Sequence, residues 1–316
     1  PDIHVPRDAY QAQVGRLRRA LADLEDRERV DAKARDKDVK KWRESLAGEA
    51  HKLEAELRRQ TEAAAKVRAR LDRDKAAWFA GVSSDYKTFS KATPVCLLQY
   101  CVLPRCVLSP EDAVYCAKMV QLLHALKTPR LSTLVFCNTL LTNLATLVVS
   151  RTEMEARHLG KFLAELLACL NAWARSDEVF ARECHEFPGF NQVVGAKADF
   201  LVYSKYQRLV RVWHTKLAAA FCQCLGSKEA GEVHNGLTVL SELLGGPFPI
   251  YDTQHADLRA KVAALTEAAA PHGQSITVMA RSIQGRLVTC QDKMIKLVQR
   301  KTDKRGEGEA ARPAPP

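Results

Sequence analysis

Glycine and proline are scarce here, at 15 and 13 of 316 residues, and from Tyr10 to about Phe79 there is no proline at all. A turn-rich β fold draws on both residues, so their shortage favours helices. No segment sustains an alternation of apolar and polar residues, the mark of a half-buried strand. Missing too are the motifs of the common chemistries: no G-x-x-x-x-G-K-[ST], no G-x-S-x-G, no H-E-x-x-H and no glycine-rich loop after a strand. Carboxylates lie mostly on the charged N-terminal stretch, and nothing selects one cysteine–histidine pair as nucleophile and base. The expectation is a protein that is not an enzyme and carries no cofactor. The chain opens at Pro1 rather than methionine, which reads as a fragment, and charge enters almost at once, which argues against a signal peptide.

What is present begins with a hydrophobic share of 47%, enough for a sizeable core. Lysine and arginine outnumber aspartate and glutamate by 48 to 37, a formal charge of +11, so an anionic partner is plausible, with nucleic acid ahead of membrane. Ten cysteines fall mostly on apolar helical stretches, as Cys116, Cys137, Cys169 and Cys222 do, and read as free buried thiols in the cytosol or nucleus. Leu131 to Ser150 carries no charge over a length that could span a bilayer. Its polar residues (Asn138, Thr139, Thr142, Asn143, Thr146) fall mostly within one helical stripe opposite Leu134, Cys137, Leu141, Leu144 and Val148, which favours a core helix over a membrane span.

The first 80 residues read as a long charged helix of coiled-coil type. One apolar stripe is Tyr10, Val14, Leu17, Leu21 and Leu24. A second, out of phase, is Leu46, Ala50, Leu53, Leu57, Ala64, Val67, Leu71 and Trp78, a heptad frame interrupted at Gln60 and Asp74. Between them Glu28 to Lys41 is nearly all charge, so a break or change of partner is expected there. So thin a stripe needs a helix beside it, from this chain or another. Residues 81–94 read as a linker, 95–300 as a helical domain and 301–316 as a disordered tail of basic, acidic and proline residues. Within the domain, Thr152-x-x-Glu155 makes a capping box, and helices fit the segment carrying Tyr203 to Phe221, Val233 to Leu244, about His255 to Ala270 and about Ser275 to Arg300. Gly226 is placed to take a left-handed cap. The whole is expected to be all-α: the heptad helix followed by an α-solenoid of antiparallel helix pairs, with a helical bundle as the alternative because no clean sequence repeat marks a solenoid.

The most distinctive stretch runs from Cys101 to Leu134 and reads as a buried helical hairpin. Ser109 caps a helix that starts on Pro110, Glu111 and Asp112 suit its positive end, and Lys127-Thr128-Pro129 stops it. Cys101, Cys106, Cys116 and His124 invite a test for zinc, but C-x4-C with later members on a helix fits poorly. His124 and His214 read as core or capping groups and Arg105 as a cap or ion-pair partner. The wording of the stretch says more. Pro104-Arg105-Cys106, Ser109, Asp112-Ala113-x-Tyr115-Cys116 and Leu-His-x-x-x-Thr-Pro-x-x-Ser-Thr-Leu resemble the family of THO complex subunit 2. So, downstream, do Thr152-Glu153-x-Glu155-Ala156, Gly160-x-Phe162-Leu163, Trp173-x-Arg175-Ser176-Asp177, Glu183-Cys184, Pro188-Gly189-Phe190 and Trp213-His214-x-Lys216-Leu217.

The resemblance implies a nuclear, non-enzymatic scaffold that couples transcription to messenger RNA packaging and export. Its implied partners are the other THO subunits and a DEAD-box export helicase, with no membrane. The seam for partner helices is then Leu46, Leu53, Leu57, Val67, Leu71 and Trp78. The alternative is an RNA-binding module whose basic end (Lys293, Lys296, Arg300, Lys301, Lys304, Arg305) meets phosphate without sequence preference.

Overall fold

In the computed structural model the structure describes residues 3–30, 37–80, 92–191, 199–267 and 273–296. The charged N-terminal region is two helices, α1 (Arg7–Val30) and α2 (Lys37–Trp78), packed against each other. Gln60 Nε2 donates to Tyr10 Oη at 2.8 Å, while Arg18 pairs with Glu54. Moving forward on α1 therefore moves backward on α2, and the pair is an antiparallel hairpin. Each apolar stripe becomes the other's neighbour: Val14, Leu17 and Leu24 are buried on α1, as is Ala50 on α2. Continued to Arg7, this register reaches α2 near Ala64, and the last three or four turns of α2 run on past α1.

The free end of α2 is held by the body. Lys75 Nζ donates to Leu126 O at 2.6 Å, and Arg130 donates to Phe79 O and Ala80 O at 3.0 and 2.7 Å. Residues 81–91, most of the expected linker, lie outside the described residues, but 92–96 is already helical. It leads into a π-helical turn (Leu97–Val102) and the short α3 (Leu103–Cys106). Pro104 has no N–H to give the preceding turn, and the widened turn accommodates it.

Among the described residues nine further α-helices complete the body: α4 (Pro110–Ala125), α5 (Thr133–Thr142), α6 (Leu144–Val149), α7 (Glu153–Arg175), α8 (Asp177–Glu183), α9 (Tyr203–Leu225), α10 (Ala230–Leu243), α11 (Asp252–Glu267) and α12 (Gln274–Cys290). Their starts follow local rules. Ser109, Ser132, Thr152 and Ser176 each accept a backbone N–H of the first turn, and Thr152 with Glu155 closes a full capping box. α4, α7, α10 and α12 touch in series as one layer, and α5, α6, α9 and α11 form the second against it. This is the two-layered, solenoid-like all-α fold that the helical periodicity predicts. Its core runs unbroken from Leu98 to Leu287.

Four local expectations are corrected. The helices flanking Lys127-Thr128-Pro129 do not pair as a hairpin: α4 packs on α7, whereas α5 packs on α9. The uncharged run 131–150 is two helices broken at Asn143, whose Nδ2 donates to Thr139 O at 2.8 Å, and among the described residues no helix is long and apolar enough to cross a membrane. Gly226 sits at φ −93°, outside the left-handed region, while Lys127 takes φ 54° to turn the chain after α4. The last helix stops at Cys290 rather than Arg300, because the chain beyond it is captured by α11. Asp252 N–H donates to Ile295 O at 3.2 Å and Ile295 N–H to Ile250 O at 2.8 Å, satisfying amides at the helix start.

Buried polar side chains tie the layers together. Tyr206 Oη donates to Leu170 O at 2.9 Å, Asn235 Nδ2 to Arg151 O at 2.6 Å, and Asn171 Nδ2 to Pro247 O at 2.8 Å. His214 Nε2 donates to Asn171 Oδ1 at 2.9 Å, and its Nδ1 is buried without a partner. Burial holds His124 and His214 neutral, lowering each pKa from 6.5 to about 4. Below pH 6.5 the unfolded chain takes up protons that the fold refuses until about pH 4, so stability falls across that window. Going from pH 7 to 5 should cost about 2 kcal/mol per histidine, at 1.36 kcal/mol per pKa unit. The urea midpoint is expected to drop over that interval, and to drop about half as far in His214→Gln, which keeps a donor for Asn171 without a titrating ring.

Candidate interaction surfaces

The motif residues converge on one point. His124, near the end of α4, meets Thr133 Oγ1 through Nδ1 at 3.0 Å and donates from Nε2 to Glu183 O at 2.9 Å, which joins the ends of α4 and α8 to the start of α5. Trp173, Phe187 and Phe190 surround its ring at 4.8–5.1 Å. Trp173 Nε1 donates to Glu183 Oε2 at 2.9 Å. Burial would raise the pKa of Glu183, but hydrogen bonds from Arg182 and Trp173 outweigh it and bring it below the ordinary value. Gly189 lies against this knot: a Cβ there would overlap Thr133 Oγ1 and stand 2.9 Å from His124 Nδ1. With every polar atom of the imidazole engaged, the knot is a fastening and offers no open position for a substrate.

The zinc and thiol candidates behave as core. Burial pushes the pKa of Cys106 up to about 12 and that of Cys116 to about 11, so both are thiols at neutral pH, and Cys116 Sγ donates to Val102 O at 3.7 Å. All ten cysteines are free, and among the described residues no group of three or more His, Cys, Asp or Glu side chains could hold a metal ion. Arg105 pairs with Asp112 at 2.9 Å and lies over the Tyr115 ring at 3.9 Å.

Leu46, Leu53, Leu57, Val67, Leu71 and Trp78 are all half-buried on α2. The register brings α1 alongside Leu46, Leu53 and Leu57, and carries Val67, Leu71 and Trp78 beyond it. Lys293 and Lys296 are exposed after α12; Arg300, Lys301, Lys304 and Arg305 lie outside the described residues. One surface escapes the sequence reading, because the periodicity of 203–225 draws attention only to its apolar face. The opposite face of α9 carries Lys205, Arg208, Arg211 and Lys216, and the helix has no carboxylate in 23 residues, a signal that a count of acidic residues by segment would have found.

A two-layered helical stack with a coiled-coil arm defines an all-α protein of the solenoid type. The family model for Tho2, transcription factor/nuclear export subunit protein 2, matches residues 1–287. Proteins named THO complex subunit 2 from Dasypus novemcinctus and Homo sapiens are each 32% identical over 250 residues, covering 77% of this chain and 15% of their own length. The Arabidopsis thaliana protein of that name is 32% identical over 251 residues, covering 79% of the chain and 13% of itself. The chain belongs to the Tho2 family, and spans about a seventh of the length of the curated relatives it matches.

For the knot, Gly189→Ala is expected to cost about 2 kcal/mol by overpacking. In a Thr133→Ala background the same change should cost measurably less, as a double-mutant cycle in urea would record.

Proposed function

We propose that this chain is a non-enzymatic scaffold segment of a nuclear THO/TREX-type complex that couples transcription to the packaging and export of messenger RNA. Membership of a family described as a nuclear export subunit carries the reading, and the relatives' shared name makes them subunits of a complex. The architecture supports it. A solenoid-like body offers extended faces, and α2 projects a heptad frame past the helix that covers its first half. Other THO subunits are the partners of that seam, whose half-buried Val67, Leu71 and Trp78 lie beyond α1. A DEAD-box export helicase is a further partner by family resemblance. In the RNA-binding alternative, favoured by the exposure of Lys293 and Lys296, the basic end adds salt-dependent contact with RNA phosphate.

Co-purification with recombinant THO subunits tests the seam. Val67→Asp with Leu71→Asp is expected to cut association at least tenfold while the thermal melt stays near that of the parent. Leu53→Asp with Leu57→Asp should cut it too, with some loss of helix as α1 loosens. Undiminished association in both pairs would refute the seam. Tight RNA binding that is lost with the basic end, together with no subunit association, would favour the alternative.

A further inference from the structure

The charge balance of the body is uneven. Some cations elsewhere on it stand in ion pairs, Arg105 with Asp112, Lys118 with Glu165, Arg157 with Glu153 and Lys161 with Glu242, whereas Arg175, Lys228, Lys261 and Arg281 are scattered singly and have none among the described residues. On α9, Lys205, Arg208, Arg211 and Lys216 have no ion-pair partner among the described residues, and Lys205, Arg208 and Arg211 are exposed. The neighbouring segment 131–150 is also without charge. What it offers is neutral acceptors: Lys216 Nζ donates to Asn138 Oδ1 at 3.0 Å and to Thr142 Oγ1 at 2.8 Å. Four positive charges of a formal +11 thus sit along one helix that carries no carboxylate, with Arg211 lying over the Tyr251 ring at 5.8 Å.

Their order suggests what does. Lys205, Arg208, Val212 and Lys216 follow at steps of three and four, so they form one stripe. Val212 is 49% exposed in its middle and Val202 is 50% exposed just before the helix. From Lys205 to Lys216 the stripe is about 16 Å long at 1.5 Å per residue. Nucleic acid fits it poorly. Stacking platforms for bases are missing, since Tyr206 is buried and Tyr203 is half-buried with its hydroxyl held by Ala174 O at 2.8 Å. Phosphates would also leave the exposed valines uncovered. A peptide that alternates carboxylates with aliphatic side chains satisfies both features at once.

We propose that the exposed face of α9 is a docking strip for an acidic, amphipathic segment of a partner protein. Carboxylates meet Lys205, Arg208 and Lys216, and an aliphatic side chain covers Val212. The strip is separate from the seam on α2, so each can fail without the other.

The probe is a fluorescein-labelled helical peptide of glutamate and leucine, with glutamates at alternating three- and four-residue spacing over about four turns. Its binding to the full chain is read by anisotropy. Lys205→Glu with Arg208→Glu, and separately Val212→Asp, are expected to weaken binding at least tenfold with an unchanged thermal melt. A peptide of the same composition in scrambled order should bind at least tenfold more weakly. Val67→Asp with Leu71→Asp should leave the peptide's affinity as it was. The proposal is overturned if the ordered peptide fails to bind at low salt, if both strip variants bind it undiminished, or if the scrambled peptide binds equally well. It is also overturned if a labelled oligouridylate binds more tightly than the peptide and loses affinity in the same variants, which would make the strip a nucleic-acid surface.

Discussion

A stack of short helices leaves many carbonyls unpaired at helix C-termini, and burying them without a donor costs on the order of 1–3 kcal/mol apiece. The rest of the structure depends on how this need is met. His124 reaches the last residue of α8, Tyr203 the Ala174 carbonyl at the end of α7, Asn235 the end of α6 and the turn after it, and Lys75 the carbonyl that ends α4. His255 does the same for Leu287 near the end of α12, and Arg286 for Leu244 after α10. Each bond joins elements distant in sequence. The donors that satisfy helix ends therefore also set which helices are neighbours.

The most crowded of these fastenings lies where the resemblance to the family is densest. His124, Thr133, Trp173, Glu183 and the pair Gly189-Phe190 come from five stretches of chain and meet around one imidazole. Residue types that draw catalytic attention in a sequence act here as packing and hydrogen-bonding groups. The two surfaces proposed for interaction lie away from this knot: the end of α2 past α1, and the outer side of α9.

Much of the fold was legible because its signals are local. Ser109-Pro110 and Thr152-x-x-Glu155 mark helix starts through hydrogen bonds three residues apart, and Leu159, Phe162, Leu163, Leu166, Leu167 and Leu170 mark a buried face through helical spacing. The candidate surfaces were legible only in part. The stripe on α2 shows as a heptad frame, yet nothing within it says that α1 covers the first half. The cations of α9 were in plain view, but their want of partners is a statement about α5 and α6.

By itself the sequence determined an all-α chain, the places where most helices begin, the apolar setting of most of its cysteines and its membership of a family. These follow from backbone hydrogen bonding over three or four residues, from composition and from the order of motifs. Only the tertiary structure decided that α4 lies on α7 and not on α5, that the run 131–150 breaks at Asn143, that the chain after Cys290 turns back to α11, and that α1 folds onto α2. Those choices rest on which surfaces and which unpaired carbonyls complement one another across dozens of residues. Periodicity says which face of a helix is buried, and packing says against what.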